Sequence, residues 1–241
     1  MAIQPWLSAF GQRDDLQVYG DNGLGLFALA LRFGLDDLET AAADSIMDGA
    51  DDKKCDILYV DRNDGIAVVA QCYYSKKPKK AAPSNKAADL NTAVAWLLQS
   101  DIRKLPERLR SAAQQLRDGL STNDITDLHI WYVHNLPESN NVNKELEAVE
   151  KTALSAVEKE FRGGKIEIHG LEVGQATLGE WYTDTQSQIL VNDTFPLDVV
   201  DGYEISGPQS LHPFQPLSCT LLTKNTRQSS FLPTCGNTSG P

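Results

Sequence analysis

Apolar residues recur at helical spacing over Asp21 to Phe33 and again over Leu35 to Met47, with Gly34 between them. Together with a helix in the opening segment, these predict three helices before any strand. Two β-branched, apolar runs follow, CDILYVD and IAVVAQCYY, joined through Asn63-Asp64-Gly65. That is a strong hairpin signal. Beyond a Lys/Pro/Ala loop (Lys76 to Pro83), Asn85 to Gln99 and Leu105 to Leu120 return to helical spacing. LHIWYVHN (Leu128 to Asn135) reads as a strand, and Lys144 to Phe161 as an amphipathic helix stopped by Gly163-Gly164. KIEIHGLEV is a further strand, and Gly174 to Tyr182 a short helix. Strands alternating with helices after a hairpin predict an α/β fold, a mixed β-sheet flanked by helices.

The hairpin fixes which side chains share a face. A turn at Asn63-Asp64 makes paired positions sum to 127 and sets Asp56 opposite Gln71, whereas a turn at Asp64-Gly65 makes the sum 129 and sets Asp56 opposite Tyr73. Both sums are odd, so Asp56, Gln71 and Tyr73 fall on one face in either register. Both faces are otherwise apolar, which predicts a hairpin in the interior of the sheet. An Asp and a Gln in such strands need partners, because burying polar groups unpaired is costly. In the preceding helix, Glu39 lies beside the stripe Leu35, Leu38, Ala42, Ile46. Glu39, Asp56 and Gln71 are therefore candidate hard oxygen ligands for Mg²⁺. The residues alone leave a second reading open, in which Asp56 caps a strand or pairs with Lys53 or Lys54, and Glu39 is an ordinary exposed acid.

Charge sharpens this picture. The chain has 241 residues, 22 Lys+Arg, 33 Asp+Glu and a formal net charge of -11, with 41% hydrophobic residues. Such a balance excludes a generally polybasic nucleic-acid binder. Lys76 to Arg117, however, holds ten basic residues and three acidic ones, a local excess of +7 against -18 elsewhere. This segment is either a solvated helix face with a Lys-rich loop or a local guide for a phosphate backbone. After Glu204 no acidic residue occurs, and the composition turns to Ser, Thr and Pro. Residues 1–205 are read as one domain and 206–241 as a disordered or non-native tail.

The pattern from Asp48-Gly49 through Asp56-Ile57-Leu58-Tyr59-Val60-Asp61 to Gln71-Cys72-Tyr73-Tyr74 resembles the N-terminal part of the abortive-infection phage-resistance (AIPR) family. It is similar, more broadly, to restriction-endonuclease-like PD-(D/E)xK nucleases in their D…QxK form. The resemblance covers about residues 20 to 205. It implies a restriction-endonuclease-like fold and Mg²⁺ (or Mn²⁺) dependent cleavage of DNA or RNA in antiphage defence. By the same resemblance Asp56 and Gln71 are catalytic metal ligands and Glu39 the helix acid. Nucleic acid is then the partner, a further C-terminal module of longer relatives is expected to be missing, and a homodimer stays open. Two positions depart from the pattern: Lys54-Cys55 replaces a Gly pair, and Tyr73 stands where the catalytic Lys is expected. A neutral phenol stabilises developing phosphate charge poorly. Lys76 or Lys77 is the expected substitute, with Lys76, Lys77, Lys79 and Lys80 contacting nucleic acid. The alternative is a catalytically inactive nuclease-fold module that binds nucleic acid or a protein partner.

Other motifs point nowhere. Gly20, Gly23 and Gly25 do not follow a strand and predict a turn and helix start rather than a phosphate loop. There is no Walker A, GxSxG or HExxH sequence, and the four cysteines and four histidines show no metal-ligand spacing. Trp131-Tyr132 is expected to be core, and His129 and His169 satisfied core residues. The first residues lack a signal-peptide pattern, and no run is long enough to span a membrane, so a cytoplasmic, membrane-free protein is expected.

Overall fold

Helices cover both faces of a four-stranded mixed sheet in the computed structural model, which describes residues 4–186 except 48, 50, 51 and 162–164. These residues fall within one compact unit, Met1–Ser187. The expected boundary near 205 and the tail 206–241 lie outside the described residues. Chain order is α1 (Pro5–Gly11), α2 (Asp14–Gln17), α3 (Asp21–Phe33), α4 (Leu38–Ser45), β1 (Ile57–Asp61), β2 (Ile66–Tyr73) and α5 (Ser84–Val94). A π-helical turn (Ala95–Gln99) and a 3-10 turn (Ile102–Lys104) lead to α6 (Glu107–Thr122). The remaining elements are β3 (Asp127–His134), α7 (Asn140–Glu160), β4 (Glu167–Val173) and α8 (Gln175–Gln186). The sheet order is β1-β2-β3-β4, with β1 antiparallel to β2 and the other pairs parallel. Among the described residues no helix is long and apolar enough to cross a membrane.

The hairpin adopts the 127 register, Ile57 opposite Ala70 and Asp61 opposite Ile66, around a four-residue turn with Gly65 at φ 74°. β1 is nevertheless an edge strand, not an interior one. Its two apolar faces are explained by helices packing on both sides of the sheet. Ile46, just after α4, bridges to Ile57, and Met47 N–H donates to Asp56 O at 2.9 Å, which covers the start of that edge.

Alternation along the strands divides the core. Leu58, Val69, Ile130 and Tyr132 pack with α5, α6 and α7, while Ile57, Val68, Cys72 and Trp131 pack with α1, α3, α4 and α8. Trp131 and Tyr132 are thus core residues on opposite faces. In α7 the buried set Val142, Leu146, Val149, Ala153, Ala156 and Val157 keeps the 3.6-residue period, and Ser139 caps its first turn by accepting from Val142 N–H. α3 starts after Gly20 (φ 58°) and stops at Gly34 (φ 66°), a left-handed cap. Within it, Gly25 lets the helix lie against the sheet. A Cβ there would sit 2.4 Å from Ile57 Cδ1 and 2.5 Å from Cys72 Sγ. Gly25→Val is therefore expected to cost about 1–3 kcal/mol by overpacking, read as a lower midpoint in urea unfolding.

The basic segment is partly consumed by the fold. Arg117 donates to the carbonyls of Trp96, Leu97 and Ser100 around the π-helical turn, at 2.6 to 3.0 Å. Arg110 donates to Leu105 O, and Arg103 pairs with Asp101. Lys76, Lys77, Lys79 and Lys80 remain exposed on the loop after β2.

Candidate functional site

Because β2, β3 and β4 are parallel, their C-terminal ends meet along one edge of the sheet, where ligands bind open α/β sheets. Gln71 lies beside Tyr132 and Tyr73 beside His134 in register, with Glu172 next to Tyr132 on the far strand. β1 runs the other way, so its start brings Asp56 to the same edge. A row of polar side chains crosses the sheet here: Asp56, Gln71, Tyr132, His134 and Glu172.

Asp56 is half-buried, and its Oδ2 accepts the Cys72 backbone N–H at 2.6 Å, immediately after Gln71. The sequence pairing of Asp56 with Gln71 thus corresponds to a real neighbourhood. Gln71 is 4% exposed, and its Oε1 has no hydrogen-bond partner. Three buried side-chain polar atoms among the described residues are in that condition; Gln71 Oε1 is one and the Tyr132 hydroxyl, its neighbour in register, is a second. Leaving such groups unpaired costs about 1–3 kcal/mol each, so an ion or water between them is the expected compensation. Burial pushes the Tyr132 phenol up from its ordinary value, with Tyr73 and Glu172 adding to the effect.

Glu39 is not part of this edge. It is exposed in the first turn of α4, whereas the last turn of that helix meets β1. A rise of 1.5 Å per residue puts Glu39 about 10 Å along the axis from Ile46. The helix acid whose charge acts on groups of this edge is Asp21, exposed at the start of α3. Burial pushes the Cys72 thiol well up, and Asp56 and then Asp21 push it further; Asp21 also acts on the Tyr132 phenol. The sequence signal for Asp21 was its place after Gly20 in the helix that Gly25 seats against Cys72.

Lysines surround Tyr73, though not the two expected. Lys79 Nζ donates to the Tyr73 hydroxyl at 2.5 Å and lies 5.2 Å from the ring centroid, and Lys86 Nζ of α5 lies 5.5 Å from it. Lys76 and Lys77 are exposed and leave the strand in a turn closed by Ser75 Oγ donating to Lys77 O. Asn135 clamps the strand ends, accepting Ser75 N–H at 2.8 Å and donating to Ser75 O at 2.9 Å. On the other side, Lys53 Nζ lies 4.4 Å over the Trp96 ring and Lys54 pairs with Asp89 of α5 at 3.8 Å. The edge is therefore flanked by basic side chains from the loops before β1 and after β2 and from α5.

The Lys79 hydrogen bond, aided by Ser75 and by the charges of Lys79 and Lys86, holds the Tyr73 phenol below its usual value. A cation beside the oxygen favours phenolate, so ionisation occurs at lower pH than for a free tyrosine. The ultraviolet titration difference between wild type and Tyr73→Phe is expected to show a phenolate appearing below pH ~10, and Lys79→Gln to move it upward. An unmoved titration in Lys79→Gln would show that the contact has no weight in solution.

A shallow concavity on α6, lined by Ile102, Glu107, Arg110 and Gln114 among others, shares no residue with this edge. No protein-family model matches the chain, and neither a curated protein nor a solved structure matches it.

Proposed function

We propose that the chain is a Mg²⁺-dependent nuclease that hydrolyses phosphodiester bonds of DNA or RNA, with a role in antiphage defence on the strength of its AIPR-like, PD-(D/E)xK-like motif. The observation that carries this reading is the buried, unpartnered Gln71 Oε1, on the residue just before the Cys72 whose N–H the Asp56 carboxylate accepts. A neutral carbonyl oxygen and one carboxylate suit a hard divalent cation that keeps waters for its remaining positions. Asp56 and Gln71 would hold Mg²⁺ or Mn²⁺, with Asp21 adding negative charge nearby. The ion would supply charge neutralisation at phosphate and acidify a water. The lysines at 53, 54, 79 and 86 would hold the polyanion against the edge, and Lys79 would replace the cationic charge that Tyr73 lacks. Lys76, Lys77 and Lys80 extend that basic strip along the exposed loop.

The test is incubation of the full chain with Mg²⁺ or Mn²⁺ and single- and double-stranded DNA and RNA. Metal-dependent shortening of one of them, lost in Asp56→Asn, is expected. No shortening of any substrate sinks the reading.

Tyr73 favours a second reading, an inactive module that binds nucleic acid or a protein partner. That reading expects a silent parent, salt-dependent retention of oligonucleotide, and cleavage gained in Tyr73→Lys.

A further inference from the structure

Toward the other end of the sheet, three to five residues from Gln71 in register and so about 10–17 Å away by strand rise, a second set of ligand-type side chains comes together. Asp127 and His129 of β3 stand in register with Glu167 and His169 of β4, and alternation puts all four on the face that packs α3. Ligand atoms of Asp127, Glu167 and His169 lie within 4.8 Å of one another. His169 Nε2 is 3.5 Å from Asp127 Oδ1, and the His129 ring stacks on His169 with centroids 5.0 Å apart. Forty residues separate the two pairs in the chain, so no sequence spacing announces them. His129 and His169 are accordingly not enclosed core residues: His169 is exposed and His129 half-buried between it and Phe33.

We propose that Asp127, His129, Glu167 and His169 form a binding site for a divalent transition ion of the Zn²⁺ type. Two imidazoles and two carboxylates make an N₂O₂ donor set, which suits a borderline cation better than Mg²⁺. Asp127 is oriented as ligands commonly are, because Thr126 Oγ1 donates to its Oδ2 at 2.7 Å and leaves Oδ1 toward His169. Metal bonds of about 2.0–2.2 Å require these atoms to draw closer than they stand, which rotation of the exposed Glu167 and His169 side chains toward the half-buried Asp127 and His129 supplies. Two cations compete: Lys165 Nζ contacts Glu167 Oε1 at 2.9 Å, an exposed pair that yields readily, and the charge of Arg32 reaches His129. Arg32 is itself engaged 5.8 Å over the Trp181 ring. The proposal is independent of the nuclease reading.

Zn²⁺ titrated against a chromophoric chelator tests it, using the full chain, Asp56→Asn and the pair Glu167→Gln/His169→Gln. Asp56→Asn is expected to retain one Zn²⁺ per chain at this site, and the pair to lose that equivalent or bind it at least tenfold more weakly. Co²⁺ is expected to give visible d–d absorption in Asp56→Asn but not when the pair is added. Both replacements sit at exposed positions, and thermal melts confirm folding. Failure of the full chain to bind Zn²⁺, or a loss below tenfold in the pair, overturns the proposal.

Discussion

Asp56→Asn is expected to lower metal-dependent nucleic-acid cleavage by at least about 100-fold while leaving thermal stability nearly unchanged. The substitution is isosteric, and its carboxamide oxygen still accepts the Cys72 N–H that Asp56 Oδ2 accepts at 2.6 Å. What disappears is the negative charge that, under the proposed function, would attract a cation to Gln71. Asp56→Ala would confuse two effects, because it also strands the buried Cys72 N–H, at a cost of about 1–3 kcal/mol. Two further replacements give the result its resolution. Asp21→Asn should weaken cleavage, since the Asp21 charge reaches Cys72 and Tyr132. Glu39→Gln should not, since Glu39 is exposed in the first turn of α4, away from the turn that meets β1. The measurement is initial cleavage rate at saturating Mn²⁺ beside a melting curve. An Asp56→Asn protein that cuts at the parental rate would remove Asp56 from the chemistry.

The contrast between Asp21 and Glu39 shows where sequence reasoning reaches and where it stops. Parity along a hairpin is a local property, so Asp56, Gln71 and Tyr73 could be placed on one face before any fold was known, and the 127 register was one of only two options. Helix limits set by Gly20 and Gly34 were legible for the same reason, because left-handed φ values are a glycine preference that acts at one residue. Helix-to-sheet docking is different. Both acids lie in helices before the hairpin, and the one that approaches Cys72 is decided by Gly25 packing on Ile57 and Cys72, a contact 32 and 47 residues away in the chain. The same limit hid Lys79 and Lys86. Alternation beyond the strand end favours Lys77, but the chain turns at Ser75, so Lys79 returns to the Tyr73 hydroxyl instead. Parallel pairing of β2, β3 and β4 leaves no turn signature, and the Glu172 contacts depend on it.

Glu172→Ala is expected to destabilise the fold by about 2–5 kcal/mol, through a cavity and unpaired donors, a large share of the roughly 5–15 kcal/mol available to a domain. Glu172 is 2% exposed and His134 fully buried. Glu172 Oε1 lies 3.0 Å from His134 Nε2, and both carboxylate oxygens accept the Ser139 N–H, at 3.1 and 2.9 Å. His134 Nδ1 accepts Leu136 N–H at 3.3 Å, so the ring proton sits on Nε2 and is donated to Glu172. One carboxylate therefore satisfies a buried imidazole and the N-cap residue of α7. The backbone beyond it is packed closely as well: a Cβ on Gly174 would meet Glu138 Cδ at 2.7 Å and His134 Cε1 at 2.8 Å. Truncation leaves the buried His134 donor and the half-buried Ser139 N–H unpaired beside a void. Glu172→Gln should cost markedly less, since its amide oxygen still accepts. Urea unfolding of both variants checks the order, and a loss below 1 kcal/mol in Glu172→Ala would show that the pair is not structural. The consequence extends to the candidate site. His134 is the register neighbour of Tyr73 and Tyr132 that of Gln71, so the Glu172 carboxylate anchors the strand end on which both rest. Cleavage should therefore fall in Glu172→Ala together with stability, whereas in Asp56→Asn it falls alone.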